Sequence, residues 1–254
     1  MKYFRILFFQ RKSTIIKLCS LLLLISIIFS NSVYQSFSHR YQVTPNSFTW
    51  LIILFQDITT GIYLLPIIYS SMLFFCLEAF TKDTVVSLRF FSLKHKHYFL
   101  LKYSLLLPFL FLSFLLLLSL VMGLLNGFSF SISSVIQPIL SEIYEVNHIS
   151  SYQSLFLILF CFLSYLLFLS EMTVFLFLFF KKRNIVIATL FSFLVIQSVF
   201  WLYPINLSVN QFFPIHHYIL KSENYGVEII YWLSLLSICF LLNVYKIRST
   251  KWEE

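Results

Sequence analysis

Residues 94–125 read KHKHYFLLKYSLLLPFLFLSFLLLLSLVMGLL, and the fold follows from how that stretch divides. Lys94, Lys96 and Lys102 crowd its start, whereas residues 103–125 carry no charge. A helix rises about 1.5 Å per residue and the hydrocarbon core of a bilayer is about 30 Å thick, so about 20 apolar residues in a row are enough to cross it. Lys and Arg collect on the cytoplasmic side of membrane proteins. The stretch therefore reads as the inner end of a membrane span followed by the span itself.

The same alternation runs through the chain. Of the 18 Lys and Arg residues, all but Arg40 and Lys221 fall in four short blocks. These are Lys2/Arg5/Arg11/Lys12/Lys17, Lys82/Arg89/Lys94/Lys96/Lys102, Lys181/Lys182/Arg183 and Lys246/Arg248/Lys251. Long apolar runs separate them. The +8 net charge is then an orientation signal and not a nucleic-acid footprint. Composition agrees: the chain is 59% hydrophobic and 11% charged with a mean hydropathy of +0.88, whereas a soluble domain carries roughly 25% charged residues. With 32 Phe against 4 Gly, the bulky rings suit lipid-facing helix surfaces better than a narrow pore.

These patterns predict an all-α integral membrane protein, a single transmembrane domain over residues 1–254. It has six transmembrane helices and both termini cytoplasmic. The spans are expected at about 15–34, 58–80, 103–125, 155–180, 185–203 and 229–245. Residues 1–16, basic and aromatic, read as a short amphipathic interfacial helix on the inner surface. A cleavable leader over residues 1–32 is the competing reading, because residues 18–29 resemble its apolar core. Residues 50–80 are ambiguous: WLIILF is too short to span and is followed by Gln56-Asp57. We read WLIILF as an outer interfacial or re-entrant piece, since two spans there would put half the basic blocks outside.

Chemistry-bearing residues are few. Glycine occurs only at 61, 123, 127 and 226, so no G-x-x-x-x-G-K-[ST] loop can be written and ATP hydrolysis is not expected in this chain. The six histidines fall in expected loops, which disfavours an intramembrane metalloprotease; no catalytic, cofactor or metal-binding residue is expected. His216-His217 after Pro214 read as a solvated loop. Four dispersed cysteines read as small buried hydrophobes. Gly123 and Gly127 fit both helix packing and helix termination, with termination preferred.

Glu171 is the one carboxylate well inside a span, roughly 13 Å along the helix from its Lys181 end. Cys161, Ser164, Phe168 and Glu171 share a face by three- and four-residue steps. An acid in the membrane is a functional candidate by default. The alternative is that Glu171 is neutral, or bonded to Gln197 or a span Ser, and only holds helices together. Glu171, Ser164 and Gln197 are thus candidates for a transport path or for packing.

After the second span, TKDTVVSLRFFSLKHKHYFLLK mixes apolar and basic residues over a length beyond what a simple turn needs. It reads as a surface helix that lies on the membrane or docks into a partner, or else as a solvated basic turn. Arg89-Phe90-Phe91-Ser92-Leu93-Lys94-His95-Lys96-His97-Tyr98, continuing to Lys102, resembles a stretch that commonly follows the second span in the small ABC-2-type permeases of Gram-positive bacteria. There it runs R-x-x-S-R/K-K-aromatic-x-x-x-K; here His95 and His97 interrupt the basic pair. The basic N-terminus, the six spans and the outer segment with Pro204 and Pro214 resemble that family's layout. The resemblance implies a permease dimer, built from a second copy or a paralogue and driven by a separate cytoplasmic ATP-binding-cassette ATPase. Cargo would be a hydrophobic or antimicrobial peptide, a bacteriocin or another amphipath. Arg89, Phe90, Phe91, Ser92, Lys94, Lys96 and Tyr98 would then contact the ATPase, in a bacterial cell membrane. The alternatives are a non-transporting accessory protein or envelope-stress sensor and, third, the membrane subunit of a vitamin importer.

Overall fold

The structure, a computed structural model, describes residues 13–41, 46–82, 93–130, 151–180, 183–202, 212–218 and 225–249. These residues are helical almost throughout, and no strand occurs among them. In order they form α1 (Ser13–Tyr41), α2 (Ser47–Gln56), a π-helical segment (Ile58–Leu64) running into α3 (Leu65–Lys82), and α4 (Leu93–Asn126). Then follow α5 (Ser151–Phe179), α6 (Arg183–Leu202), the short α7 (Pro214–Tyr218) and α8 (Tyr225–Ser249).

Five helices are long and apolar enough to cross a membrane: Thr59–Leu77, Lys94–Asn126, Leu155–Phe179, Asn184–Trp201 and Gly226–Ser249. They coincide with the second to sixth expected spans, and α1 covers the first. The expected interfacial helix lies mostly in residues 1–12, outside the described residues.

Burial separates the helices into two groups. In α5 and in the π segment with α3, 61% and 67% of span positions are buried, against 17% in α8 and 22% in α4. The former make the centre and the latter the wall. The outward face of α4 carries Leu106, Leu110, Phe114, Leu117 and Leu124, and that of α8 carries Ile230, Leu233, Ile238 and Leu241. Exposed aliphatic and aromatic surface of this kind suits lipid. Phe residues are not confined to the wall, however. Phe55 stacks on Phe162 at 4.1 Å between centroids in the middle of the bundle, because flat rings fill the gaps that few glycines leave.

Two glycines shape α4. Gly127 takes φ +66° and the Phe128 N–H donates to the Gly123 carbonyl at 2.8 Å, a left-handed helix stop. Gly123 does the opposite work: a Cβ there would meet Ser47 Oγ at 2.2 Å. The expected choice between packing and termination is resolved by assigning one role to each glycine.

Candidate functional site

The segment WLIILF forms most of α2, and every residue of it is buried. It is thus buried inside the bundle and broken from the span that follows it. A helix so short leaves backbone groups unpaired at both ends, and in an apolar interior each must find a partner. At the start, Asn46 Oδ1 accepts from the Phe48 and Thr49 N–H groups at 2.8 and 3.4 Å. The Asn46 N–H donates to Tyr34 Oη of α1. Ser47 and Ser119 exchange bonds with α4: Ser47 Oγ donates to the Ser119 carbonyl at 2.7 Å and Ser119 Oγ to the Ser47 carbonyl at 3.1 Å. Ser119 and Gly123, one turn apart, make the small-residue surface that lets α2 close on α4.

The other end is equally well served. The Ile53 carbonyl accepts from the Asp57 N–H (2.9 Å), the Leu54 carbonyl from Thr60 Oγ1 (2.9 Å), and the Phe55 carbonyl from Tyr218 Oη of α7. Asp57 caps the π segment, its Oδ2 accepting from the Thr59 and Thr60 N–H groups at 2.9 and 3.0 Å. Gly61 is required here for closeness: a Cβ would lie 1.8 Å from the Phe55 carbonyl oxygen.

Helix α7 closes this junction. Tyr165 of α5 stacks on Tyr218 at 5.0 Å, and Gln56 Nε2 makes a long bond, 3.5 Å, to the Tyr218 carbonyl. His217 is buried, with Nδ1 2.7 Å from Glu228 Oε2 at the start of α8. Its ring stacks on Tyr231 at 3.5 Å, and Trp232 Nε1 donates to its carbonyl at 3.3 Å. The expected solvated His216-His217 loop is corrected: Pro214, Ile215, His217 and Tyr218 turn inward because a buried acid and three aromatic rings receive them.

Deeper in the bundle, the expected α5 stripe is present. Cys161, Ser164, Phe168 and Glu171 are all buried. Gln197 is buried too, but it does not serve Glu171. Its Oε1 accepts from Tyr165 Oη at 2.8 Å, six residues earlier on α5 and about 9 Å away along the axis. Facing Glu171 instead is Asn243 of α8, whose Nδ2 donates to the Glu171 carbonyl at 3.0 Å. Glu171 Oε2 and Asn243 Oδ1 are buried without hydrogen-bond partners among the described residues.

No family model, curated protein or solved structure matches the chain.

Of the residues expected to meet a partner, Arg89, Phe90, Phe91 and Ser92 lie outside the described residues. Lys94, Lys96 and Tyr98 lie in the first turns of α4, which runs unbroken into the span. These three residues are helical, on the stem of a span. Tyr98 is exposed, and Phe99 stacks on Tyr103 at 5.9 Å.

Sequence reasoning missed Asn46, Asp57, Gly61, Tyr218, Glu228 and Asn243. The first two had a legible signal. Asn before Ser-Phe-Thr and Asp before Ile-Thr-Thr are helix-start residues flanking apolar runs. Tyr218, Glu228 and Asn243 bond to residues on other helices and had none, and the need for Gly61 comes from the break after Phe55.

Proposed function

We propose that the chain is the membrane-spanning permease subunit of an ATP-binding-cassette exporter in a bacterial cell membrane. It has six spans with both termini cytoplasmic, and it moves a hydrophobic or antimicrobial peptide or other amphipath. The observation that carries this reading is the buried junction of α2, the π segment and α7. Membrane transporters build substrate sites from helices broken inside the bundle, with irregular backbone satisfied by protein groups. A protein that only anchors a partner needs unbroken spans.

The basic start of α4 supports the coupling half of the reading. Lys94, Lys96 and Tyr98, continuous with a span, would transmit motion of an ATPase docked on residues 89–98 as a rigid lever. The partner ATPase would hydrolyse ATP, and a second copy or a paralogue would complete the path. Glu171, Ser164 and Gln197 are candidates for its lining.

The test is affinity purification of the full-length chain from its native membrane, followed by ATP hydrolysis measurements in lipid nanodiscs. An ATPase that co-purifies, and whose turnover rises with a cationic amphipathic peptide, is the expected result. A chain that purifies with no ATPase overturns the proposal in favour of a non-transporting accessory or envelope-stress protein.

A further inference from the structure

Glu171 is 3% exposed, and its Oε2 meets no hydrogen-bond donor among the described residues. Across the α5–α8 contact, Asn243 is fully buried. Its Nδ2–H is committed to the Glu171 carbonyl, and its Oδ1 also has no donor. In this arrangement no N–H of the amide meets Glu171 Oε2. Two acceptor oxygens are thus left on facing residues of one helix contact. An unmet acceptor in an apolar interior is unfavourable, and an unpaired carboxylate far more so.

Each possible answer has its own requirement. A hard metal cation takes six or more oxygens, and the described residues offer only the Glu171 carboxyl and the Asn243 amide oxygen here. The Lys246 ammonium stands over the Phe179 ring, 5.2 Å from its centroid, eight residues beyond Glu171 on α5 and about 12 Å further along the axis. Other titratable groups beside α5 among the described residues are Cys239 and Glu228 of α8, in electrostatic reach of Glu171 and Cys161 respectively, Tyr69 of α3 and Tyr218 of α7. Tyr69 is bonded to Ser170 and His217 to Glu228. A proton needs only one carboxyl oxygen, and it turns that oxygen from acceptor to donor.

We propose that Glu171 is a proton-binding site inside the α5–α8 contact, with Asn243 Oδ1 accepting from the Glu171 O–H. Release of the proton to water leaves a carboxylate facing an amide oxygen. The two acceptors repel, and α8 moves away from α5 at this level until water reaches the charge. Proton occupancy thereby sets how closely the two helices pack. This inference does not depend on the permease reading, because the purified chain alone decides it.

The experiment uses the full-length protein in nanodiscs of uncharged lipid. Infrared difference spectra against Glu171→Gln at neutral pH should show a carboxylic-acid C=O band in the wild type that the variant lacks. Asn243→Leu should shift that band upward in frequency by removing its acceptor; Asn243→Ser serves if the Leu variant does not fold. Spin labels on α5 and α8 near residues 171 and 243 should separate as pH rises in the wild type, and stay close at every pH in Glu171→Gln. Absence of the band at neutral pH overturns the proposal. So does a label separation that is constant in the wild type, or that moves equally in the variant.

Discussion

Glu228 and Glu171 are both buried carboxyl groups at the α5–α8 side of the bundle, and they are answered in opposite ways. Glu228 has His217 at 2.7 Å, within a junction of stacked rings and capped helix ends. Glu171 faces Asn243, roughly 22 Å further along α8 by helical rise, through a bond that uses its backbone and leaves its side chain unmet. The first arrangement fixes one geometry, since the ends of α2 and the His217–Glu228 pair have specific partners, although Thr49 Oγ1 and Trp50 Nε1 within α2 have none among the described residues. The second holds only while the carboxyl is neutral. The difference teaches that this bundle keeps a rigid polar joint near α2 and α7 and a condition-dependent one at Glu171 and Asn243.

The comparison breaks most visibly at Glu228. Removing one partner of a buried hydrogen bond leaves the other unmet and costs about 1–3 kcal/mol, more where the bond is to a carboxyl, so Glu228→Ala should lower unfolding stability by about 3 kcal/mol in a denaturant titration in mixed micelles. A change below about 1 kcal/mol would mean that the His217 contact does not hold α7. Gly61→Ala comes next. Its Cβ would displace the Phe55 carbonyl, and overpacking of a fixed backbone costs roughly 1–3 kcal/mol. Faster amide exchange at Leu54 to Thr60 should accompany it; unchanged exchange there would argue against a tight junction.

Tyr218→Phe sharpens the same side of the comparison. It removes a single hydroxyl and leaves the Phe55 carbonyl unpaired, for a loss of about 1–2 kcal/mol, readable as a lower melting temperature in the same micelles. Glu171→Gln should have the smallest effect, no more than about 1 kcal/mol, because a neutral isostere replaces a neutral acid. If that variant loses as much stability as Glu228→Ala, then Glu171 is held as a charge by a specific partner and the contrast between the two acids disappears.

Much of the bundle was legible in the chain, and the reason is local. An apolar run long enough to cross a bilayer is helical whatever surrounds it, since lipid offers the backbone no other partner. Residues 58–80 and 155–180 therefore appear as helices close to their expected limits, and residues 103–125 as the outer two-thirds of a helix that begins at Leu93. The break at Gln56-Asp57 was legible for the same reason, as polar residues interrupting an apolar run. The Glu171 stripe was legible from helical periodicity, but its partner was not. Gln197 and Asn243 are equally plausible amides by composition, and only the packing of α8 on α5 chooses between them.

By itself, then, the sequence determined an all-helical chain with apolar membrane-length segments, a short interrupted piece at 50–55, and one acid in the middle of a span. Hydropathy and charge sum over neighbours along the chain, so they survive without any knowledge of the fold. Tertiary structure alone decided that α2 is buried and capped from α1, α4 and α7, that Gly123 packs against Ser47, and that His217 turns inward to Glu228. It also set Asn243 against Glu171. These depend on bonds between residues 11 to 163 positions apart, where a hydrogen bond's partner is fixed by which helix faces are pressed together and not by any spacing in the sequence.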